Sequence, residues 1–460
     1  MTTDARPAHG KTLMVAVSMA LFCVQIDYFA MNLALPRMAS DFDSTATDLQ
    51  WIISIYMVTL GALMVPAGRL ADIFGRKRVL LIGITLFGLA SLLCAIAASV
   101  ATLVAFRALQ GVGAALIFPA SVSVITNAFP PAQSGRMIGL AYGIAGLGNA
   151  AGPLIGGLLT QTVGWRWIFA LNIPLAAACV LIGAFAISES RDTEAPRRID
   201  VAGLALLTAG IGVFTLTFDR ASVWGWWSLA TAGALTGAIA LLALFVVVER
   251  RVRWPLVDLS LARNMRFTVL VAAGSIANVA YGVTIFLSTV YLQDARGLDP
   301  LAAGLVFLGP SAGAAAGGVL SGRLAAGHPV RVMGVATILA AASLGLLAAA
   351  RDWALYVPTL TACGFTLGLV YAFTTVATQA VVSPQRAGEA AGIALTVMIV
   401  MGGVGVAVAS TMLERLRSTG MSTAGGIDVI FAILAAALLP AGLLVVAVAS
   451  RTADPASERC

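Results

Sequence analysis

Fourteen long apolar segments dominate the sequence and limit what the chain can fold into. A helix needs about 20 mostly apolar residues to cross a lipid bilayer. Segments of that length, numbered here as spans 1 to 14, lie near residues 13–35, 48–68, 79–98, 101–124, 135–160, 167–187, 201–218, 225–248, 267–292, 301–322, 331–350, 354–381, 388–413 and 427–449. Only helices and closed barrels satisfy their backbone hydrogen bonds within lipid. The pattern therefore predicts an all-α polytopic membrane protein with fourteen transmembrane helices.

Composition supports a membrane protein and excludes two soluble classes. The chain is 60% hydrophobic and 11% charged, whereas soluble domains are about 45–50% apolar and about 25% charged. Its net charge of +7 comes from residues in the short loops between spans and not from one basic stripe. We therefore exclude a soluble enzyme and a nucleic-acid-binding protein.

The charges in the loops predict how the chain is oriented. Most of the 28 Lys and Arg residues fall in alternate loops, on the side of the membrane that also holds both chain ends. Because cytoplasmic loops are enriched in Lys and Arg, both termini are predicted to be cytoplasmic. Arg greatly outnumbers Lys, and Ala and Gly are abundant, which favours a GC-rich bacterial genome. We expect a monomer in the bacterial inner (plasma) membrane, surrounded by the lipid bilayer.

An internal repeat divides the chain. Residues 68–71, Gly-Arg-Leu-Ala, recur as residues 322–325 at an offset of about 253. At nearly the same offset, a second set of matches pairs Pro131, Gly135, Gly139 and Gly152 with Pro384, Gly388, Gly392 and Gly405. The repeat predicts a six-helix half at 1–188, a linker with two extra spans at 189–265, and a second six-helix half at 266–460. Two parallel halves around a central cavity are typical of a transporter.

Four motifs follow one another in the first half. Residues 68–78 read G-R-L-A-D-I-F-G-R-K-R, and residues 107–115 read R-A-L-Q-G-V-G-A-A. Residues 148–157 read G-N-A-A-G-P-L-I-G-G, and residues 165–174 read W-R-W-I-F-A-L-N-I-P. Together they resemble motifs of the major facilitator superfamily, and more narrowly of its fourteen-span drug:proton antiporters. The resemblance implies the major facilitator fold, with two six-helix halves plus two inserted helices.

The same resemblance implies a function. It points to a proton-coupled antiporter that exports small amphiphilic drugs or antibiotics by alternating access, with a small-molecule substrate and protons as partners. A proton gradient takes the place of a cofactor, because the sequence contains no nucleotide-binding G-x-x-x-x-G-K-[ST] loop. No metal site is predicted, since the two histidines, His9 and His328, fall in loops.

Two other functions stay open at this stage. One is a proton-coupled importer or metabolite carrier of the same superfamily, although the motif at residues 148–157 favours export. The other is a membrane receptor or enzyme that transports nothing. Such a protein would show a soluble domain or a cluster of catalytic groups within the spans, and the sequence has neither. We therefore expect the chain not to be an enzyme.

Asp27 and Arg107 are predicted to lie deep within spans 1 and 4. A charge near the membrane centre costs at least about 2.5–3.5 kcal/mol on insertion scales, so it usually faces a cavity or a partner. The two residues lie at similar depths, given a rise of about 1.5 Å per helical residue, and they can pair and separate as a proton arrives. This predicts a proton-coupling pair, with a purely structural role as the alternative. Three other acids, Asp219, Glu389 and Glu414, fall at span ends, where solvation is expected.

The loop after span 2 is a candidate conformational gate. The resemblance implies that Asp72 meets the positive N-terminal end of span 13, near Gly388, when the cytoplasmic side is closed. Helix N-termini favour carboxylates by about 0.3–1 kcal/mol each. A solvated turn that only sets topology is the alternative. Within this loop the gate candidates are Gly68, Asp72, Gly75 and Arg76.

Glycines of span 5 complete the predicted gate. Small residues at four-residue spacing let helices approach closely in lipid, and both span 5 and span 10 show that spacing. We expect the two stripes to pack against each other across the halves, although glycine is common in this chain. The span 5 candidates are Gly148, Gly152, Pro153, Gly156 and Gly157, and the span 10 stripe is Gly309, Gly313 and Gly317.

Polar and aromatic residues within the spans are candidates for lining a substrate cavity. Taken singly, each such residue more often forms a hydrogen bond between helices than a ligand contact. Span 1 also departs from the family pattern L-D-x-T-x-V-N-V-A-L-P, because Phe29 occupies the Thr position and predicts a narrower or more aromatic surface. The cavity candidates are Gln25, Tyr28, Asn32, Tyr56, Gln110, Asn149, Asn278, Tyr281, Tyr371 and Gln379.

Overall fold

A computed structural model of the chain describes residues 7–31, 34–44, 46–191, 200–253, 255–257, 259–324, 328–382 and 387–450. This part of the chain contains 14 helices that are long and apolar enough to cross a membrane. They coincide with the predicted spans 1 to 14. The predicted all-α polytopic fold is confirmed.

The helices follow the order of the predicted spans. The first six spanning helices, with the short α2, are α1 (Pro7–Met31), α2 (Leu35–Asp41), α3 (Ala46–Phe74), α4 (Arg76–Ala95), α5 (Val100–Ala128), α6 (Pro131–Thr162) and α7 (Arg166–Ala186). The inserted pair is α8 (Val201–Trp224) and α9 (Leu229–Glu249). The remaining helices are α10 (Ser260–Arg263), α11 (Met265–Val290), α12 (Pro300–Leu324), α13 (Pro329–Ala349), α14 (Trp353–Ala380), α15 (Ala387–Ser418) and α16 (Thr423–Ser450). A π-helical segment, Tyr291–Ala295, continues α11.

Two groups of helices pack mainly among themselves. In the first group α1 packs on α6 and α7, α4 on α5 and α7, and α3 on α5. In the second, α12 and α13 pack on α14, α13 on α16, and α11 on α15. One large cluster of buried apolar side chains lies within the second group, and another lies within the first group and also includes Ala391 and Leu395 of α15. The domain boundaries at residues 188 and 266 stay a prediction.

The turn between α3 and α4 depends on one glycine and one distant carboxylate. Gly75 has φ +113°, a backbone conformation that favours glycine. Glu189, which follows α7, accepts hydrogen bonds from the backbone N–H groups of Lys77 and Arg78, each at 3.1 Å. A carboxylate at this position satisfies the free N–H groups of the helix start and complements its dipole. The 68–78 loop is therefore fixed to the end of the first six-helix group.

The two groups approach most closely between α6 and α12, at the end of the molecule that carries the 68–78 loop. A Cβ atom added to Gly318 would lie 2.8 Å from the Cα atom of Gly143, and one added to Gly322 would lie 2.8 Å from the carbonyl oxygen of Arg136. Real Cβ atoms do not approach so closely, so the helices touch backbone to backbone here. We call this contact the α6–α12 seal.

The prediction that the glycine stripes of spans 5 and 10 pack against each other is wrong. Gly148 and Gly152 of α6 face α1, where a Cβ atom on Gly152 would lie 2.6 Å from the Cβ atom of Phe29. Gly313 and Gly317 of α12 face α14, where a Cβ atom on Gly313 would lie 2.6 Å from the carbonyl oxygen of Thr361. Four-residue spacing marks a closely packed helix face, but it does not say which helix covers that face.

The inserted helices lie on the outside of the two groups. Helix α8 packs against α3 of the first group, α15 of the second group and its own neighbour α9. Helix α9 is mostly exposed, and no atom lies within 4 Å of a Cβ atom built on Gly233 or Gly237. Of the two inserted helices, therefore, only α8 packs against both helix groups.

Candidate functional site

Asp27 of α1 and Arg107 of α5 form a fully buried ion pair. The Arg107 Nη1 atom donates to Asp27 Oδ2 at 2.5 Å. Asp27 is 1% exposed and Arg107 is not exposed at all. Their similar depth, which the sequence predicted from residue counts, thus corresponds to a direct contact.

Polar partners from three helices surround this pair. Asp27 Oδ1 accepts hydrogen bonds from Gln110 Nε2 at 3.0 Å and from Asn172 Nδ2 at 2.8 Å. Arg107 also donates to the carbonyl oxygen of Ile52 at 3.1 Å and to Gln110 Oε1 at 2.7 Å. Arg107 therefore has hydrogen-bond partners besides Asp27.

Two tyrosines separate the ion pair from the central cavity. The guanidinium carbon of Arg107 lies 4.2 Å from the ring centre of Tyr56, and Tyr56 is fully buried. Tyr28 stacks on Tyr56 with 6.4 Å between ring centres, and Tyr28 lines the cavity. The ion pair is closed off behind this aromatic layer.

A cavity of about 450 Å³ lies between the two helix groups. This volume is typical of small-molecule sites, which measure about 300–1,000 Å³. Six predicted residues line it, namely Gln25, Tyr28, Asn149, Asn278, Tyr281 and Tyr371. Phe29, the departure from the family pattern, also lines it.

Three cavity candidates have other positions, and a fourth is outside the part of the chain that the structure describes. Tyr56 and Gln110 belong to the buried cluster around the ion pair, because their helices turn these side chains away from the cavity. Gln379 lies one residue before the end of α14 and is not among the described lining residues. Asn32 lies outside the described residues. The cavity assignment of Tyr56, Gln110 and Gln379 is therefore corrected.

Two contacts join the helix groups across the cavity. Asn149 Nδ2 of α6 donates to the Tyr281 hydroxyl of α11 at 3.2 Å, and within the first group Gln25 Nε2 donates to Asn149 Oδ1 at 2.8 Å. Tyr142 of α6 and Tyr371 of α14 meet edge to face, with 5.5 Å between ring centres. Because α1 and α6 belong to one group and α11 and α14 to the other, movement of the groups must alter these contacts.

Sequence reasoning missed one acidic residue of the cavity. Asp219 was assigned to a solvated span end because the apolar run of span 7 stops near residue 218, whereas helix α8 continues to Trp224. Asp219 lines the cavity, and the Ser54 hydroxyl donates to its Oδ1 atom at 2.5 Å. Asp219 thus lies near the end of its span, as predicted, but its side chain is only 20% exposed and lines the cavity instead of being solvated at the membrane surface. The adjacent Asp219–Arg220 dipeptide within a helical extension was the signal in the sequence.

The candidate gate residues occupy several positions. Asp72 is buried, and its Oδ1 atom accepts hydrogen bonds from Arg76 Nε at 3.0 Å and Nη2 at 2.8 Å. Gly68 is buried in α3. The expected partner of Asp72, the start of α15 near Gly388, borders residues 383–386, which lie outside the described residues. Its pairing with Asp72 thus stays a prediction.

The gate candidates of α6 lie in its second half. Gly148, Gly152 and Gly156 face α1, as described above, and Gly157 is half-buried beside them. Pro153 lies within the same helix, and its side chain lies outside the described residues. Across the described ranges, no group of three or more His, Cys, Asp or Glu side chains is placed to hold a metal ion.

Known families and proteins match this chain over most of its length. A model described as the Major Facilitator Superfamily matches residues 17–406. The tetracenomycin C resistance and export protein of Streptomyces glaucescens is 32% identical, covering 87% of this chain and 75% of that protein. The multidrug resistance protein Stp of Mycobacterium tuberculosis (strain CDC 1551 / Oshkosh) is 33% identical, covering 88% and 76%. The methylenomycin A resistance protein of Bacillus subtilis (strain 168) is 30% identical, covering 99% and 98%.

A solved structure shares the fold. The crystal structure of the human organic anion transporter MFSD10 (TETRAN) matches with a TM-score of 0.68, over 96% of this chain and 100% of that chain. Sequence identity over this match is 13%, so the likeness concerns the fold alone.

Proposed function

Because the chain belongs to the Major Facilitator Superfamily, we propose that it exports small amphiphilic drugs or antibiotics in exchange for protons. The family predicted from the motifs is confirmed, and the chain is a membrane transporter of small molecules, not an enzyme. The observation that supports export of amphiphilic compounds best is the cavity, whose wall combines aromatic rings, amide groups and one carboxylate. Relatives named for resistance to tetracenomycin C and to multiple drugs support the same substrate class.

The proposed transport cycle is alternating access. The α6–α12 seal closes the cavity at the end that carries the 68–78 loop, and we place this end in the cytoplasm of a bacterial cell. The conformation described here is then closed toward the cytoplasm. The opposite conformation requires this seal to open, and only interactions that differ between the two conformations shift the balance between them.

The proposed proton-coupling pair is Asp27 and Arg107. Protonation of Asp27 removes the negative charge that holds Arg107, while the Ile52 carbonyl and Gln110 still hold the guanidinium. Arg stays charged under all working conditions, so it tunes the carboxylate and does not itself supply the proton. The aromatic layer of Tyr28 and Tyr56 keeps substrate from the ion pair in this conformation.

Everted membrane vesicles test the proposal. A proton gradient with an acidic interior is expected to drive uptake of an amphiphilic drug such as ethidium into vesicles that contain the protein, and a protonophore is expected to abolish it. Vesicles without the protein are the control. Loss of preloaded drug from the vesicles under the same gradient would indicate an importer. The proposal would be contradicted if the gradient moved none of the tested drugs in either direction.

We expect Asp72→Asn to shift the resting population toward the conformation that is open at the 68–78 end. The proposed partner of this carboxylate is the start of α15 in the other half, so removing its charge weakens an interaction that is made only in the closed state. Labelling of a cysteine placed in the cavity, measured from that side, is expected to rise. Arg76→Gln, which removes the described hydrogen bonds of Asp72, is the comparator. Unchanged labelling in Asp72→Asn, or an equal rise in both variants, would assign Asp72 to the turn alone.

A further inference from the structure

Helix α8 belongs to neither repeat, yet it forms part of the cavity wall. It packs between α3 and α15, which belong to different halves. In the turn after α8, Trp226 Nε1 donates to the Thr411 hydroxyl of α15 at 2.9 Å. Two α8 side chains, Thr215 and Asp219, line the cavity. An inserted helix therefore supplies part of the surface that a substrate meets.

Asp219 is the one charged side chain among the described residues that line the cavity. Its side chain is 20% exposed, whereas Asp27 is 1% exposed and lies behind Tyr28 and Tyr56. A molecule in the cavity thus meets the carboxylate of Asp219 and not that of Asp27.

The surroundings of Asp219 hold its carboxylate in place and leave it room for another donor. Ser54 donates to Oδ1 at 2.5 Å, and Arg220 Nε lies 3.4 Å from Oδ2. The guanidinium carbon of Arg220 lies 3.7 Å from the ring centre of Trp51, so Arg220 is turned toward α3. The Oδ2 atom is buried and accepts no hydrogen bond among the described residues. Because an ionised carboxylate has about four acceptor sites, Asp219 can accept a further hydrogen bond when a substrate reaches this atom.

We infer that Asp219 is a specificity-determining residue, which binds a positively charged nitrogen of the substrate. The inference rests on the proposed export function and narrows its substrates to amphiphilic monocations. A cation that enters an apolar cavity loses its hydration, and a nearby carboxylate offsets that loss. Aromatic rings that line the same cavity, among them Tyr28, Phe29 and Tyr281, attract a cation over their faces.

The test compares a cationic and an uncharged probe in everted vesicles that contain the full chain. Ethidium carries one positive charge, and chloramphenicol carries none. In Asp219→Asn, ethidium transport is expected to fall at least about tenfold, because a charge-assisted hydrogen bond is lost. Chloramphenicol transport is expected to stay within about twofold of wild type. An uncharged substrate makes no ion pair with Asp219, and a substitution that removes no specific contact usually has a small effect.

Two further variants separate direct recognition from charge balance. Asp219→Asn removes the carboxylate that lies 3.4 Å from Arg220 Nε, and Asp219→Asn combined with Arg220→Gln removes both charges of this pair. If the carboxylate binds the cation, ethidium transport stays low in the double variant. Asp219→Glu keeps the negative charge and is expected to regain at least part of the ethidium transport. Full recovery of ethidium transport in the double variant would overturn the inference.

The remaining outcomes are equally decisive. If transport of both probes fell equally in Asp219→Asn, or if transport of neither fell, Asp219 would not distinguish substrates by their charge. Export of chloramphenicol but not ethidium by the wild-type protein would overturn the inference and leave the export function intact. Export of neither probe by the wild-type protein would instead contradict the proposed function itself.

Discussion

Asp27→Asn is expected to abolish proton-coupled export. The substitution removes the only carboxylate in contact with Arg107 among the described residues, and this carboxylate is the proposed proton-binding group. It also leaves Arg107 buried without a counter-charge, which typically costs about 3–5 kcal/mol of stability. Proton release on addition of substrate, measured in proteoliposomes, is expected to disappear.

A double variant separates loss of coupling from loss of stability. Asp27→Asn combined with Arg107→Gln removes both buried charges, so its thermal stability is expected to exceed that of Asp27→Asn alone. Its proton release is still expected to be absent. Arg107→Lys keeps the charge and loses the planar geometry that contacts Asp27, Gln110 and Ile52 together, so we expect weakened coupling. Wild-type proton release in the double variant would assign the ion pair a structural role only.

Gly318→Leu is expected to prevent closure of the α6–α12 seal and so to suppress export. The Cβ atom of any larger residue would lie 2.8 Å from the Cα atom of Gly143, a backbone atom that cannot rotate away. Overpacking typically costs about 1–3 kcal/mol, and a difference of that size between two states shifts their ratio by about 5- to 150-fold. Cysteine labelling of the cavity from the 68–78 end is expected to rise while the protein remains in the membrane.

Two glycines provide matched comparisons for Gly318. Gly233→Leu on α9 meets nothing within 4 Å and is expected to leave export unchanged. Gly152→Leu lies within one helix group, where α6 contacts α1, and it is expected to lower the yield of folded protein instead of shifting the conformation. Wild-type export and labelling in Gly318→Leu would show that the contact does not control access.

The spans were predictable because their length and apolar content follow directly from the thickness of the bilayer. The pairing of Asp27 with Arg107 was also accessible, since residue counts give depth along a helix. Residue counts do not give the position of a side chain where a helix extends beyond its apolar segment. Asp219 was missed for that reason, and the continuation of α8 to Trp224 brings it to the cavity.

The direction in which a side chain points was much harder to predict. A helix that is apolar on all sides has no polar face to indicate its rotation. Tyr28 and Tyr56 looked equivalent in the sequence, but one lines the cavity and the other covers Arg107. The predicted packing of the two glycine stripes was wrong for a related reason. Which helix packs on a small-residue face depends on the arrangement of the helices in space, and the spacing of the glycines does not encode it.

Because of the position of α8, the two sides of the transporter differ in how much protein separates the boundary between the halves from the surrounding lipid. The halves meet along two seams, one between α3 and α15 and the other between α6 and α12. Helix α8 covers the first seam, while among the described helices neither α8 nor α9 packs against α6 or α12 to a comparable extent. A compound dissolved in the membrane therefore meets an additional helix outside one seam and only α6 and α12 themselves at the other.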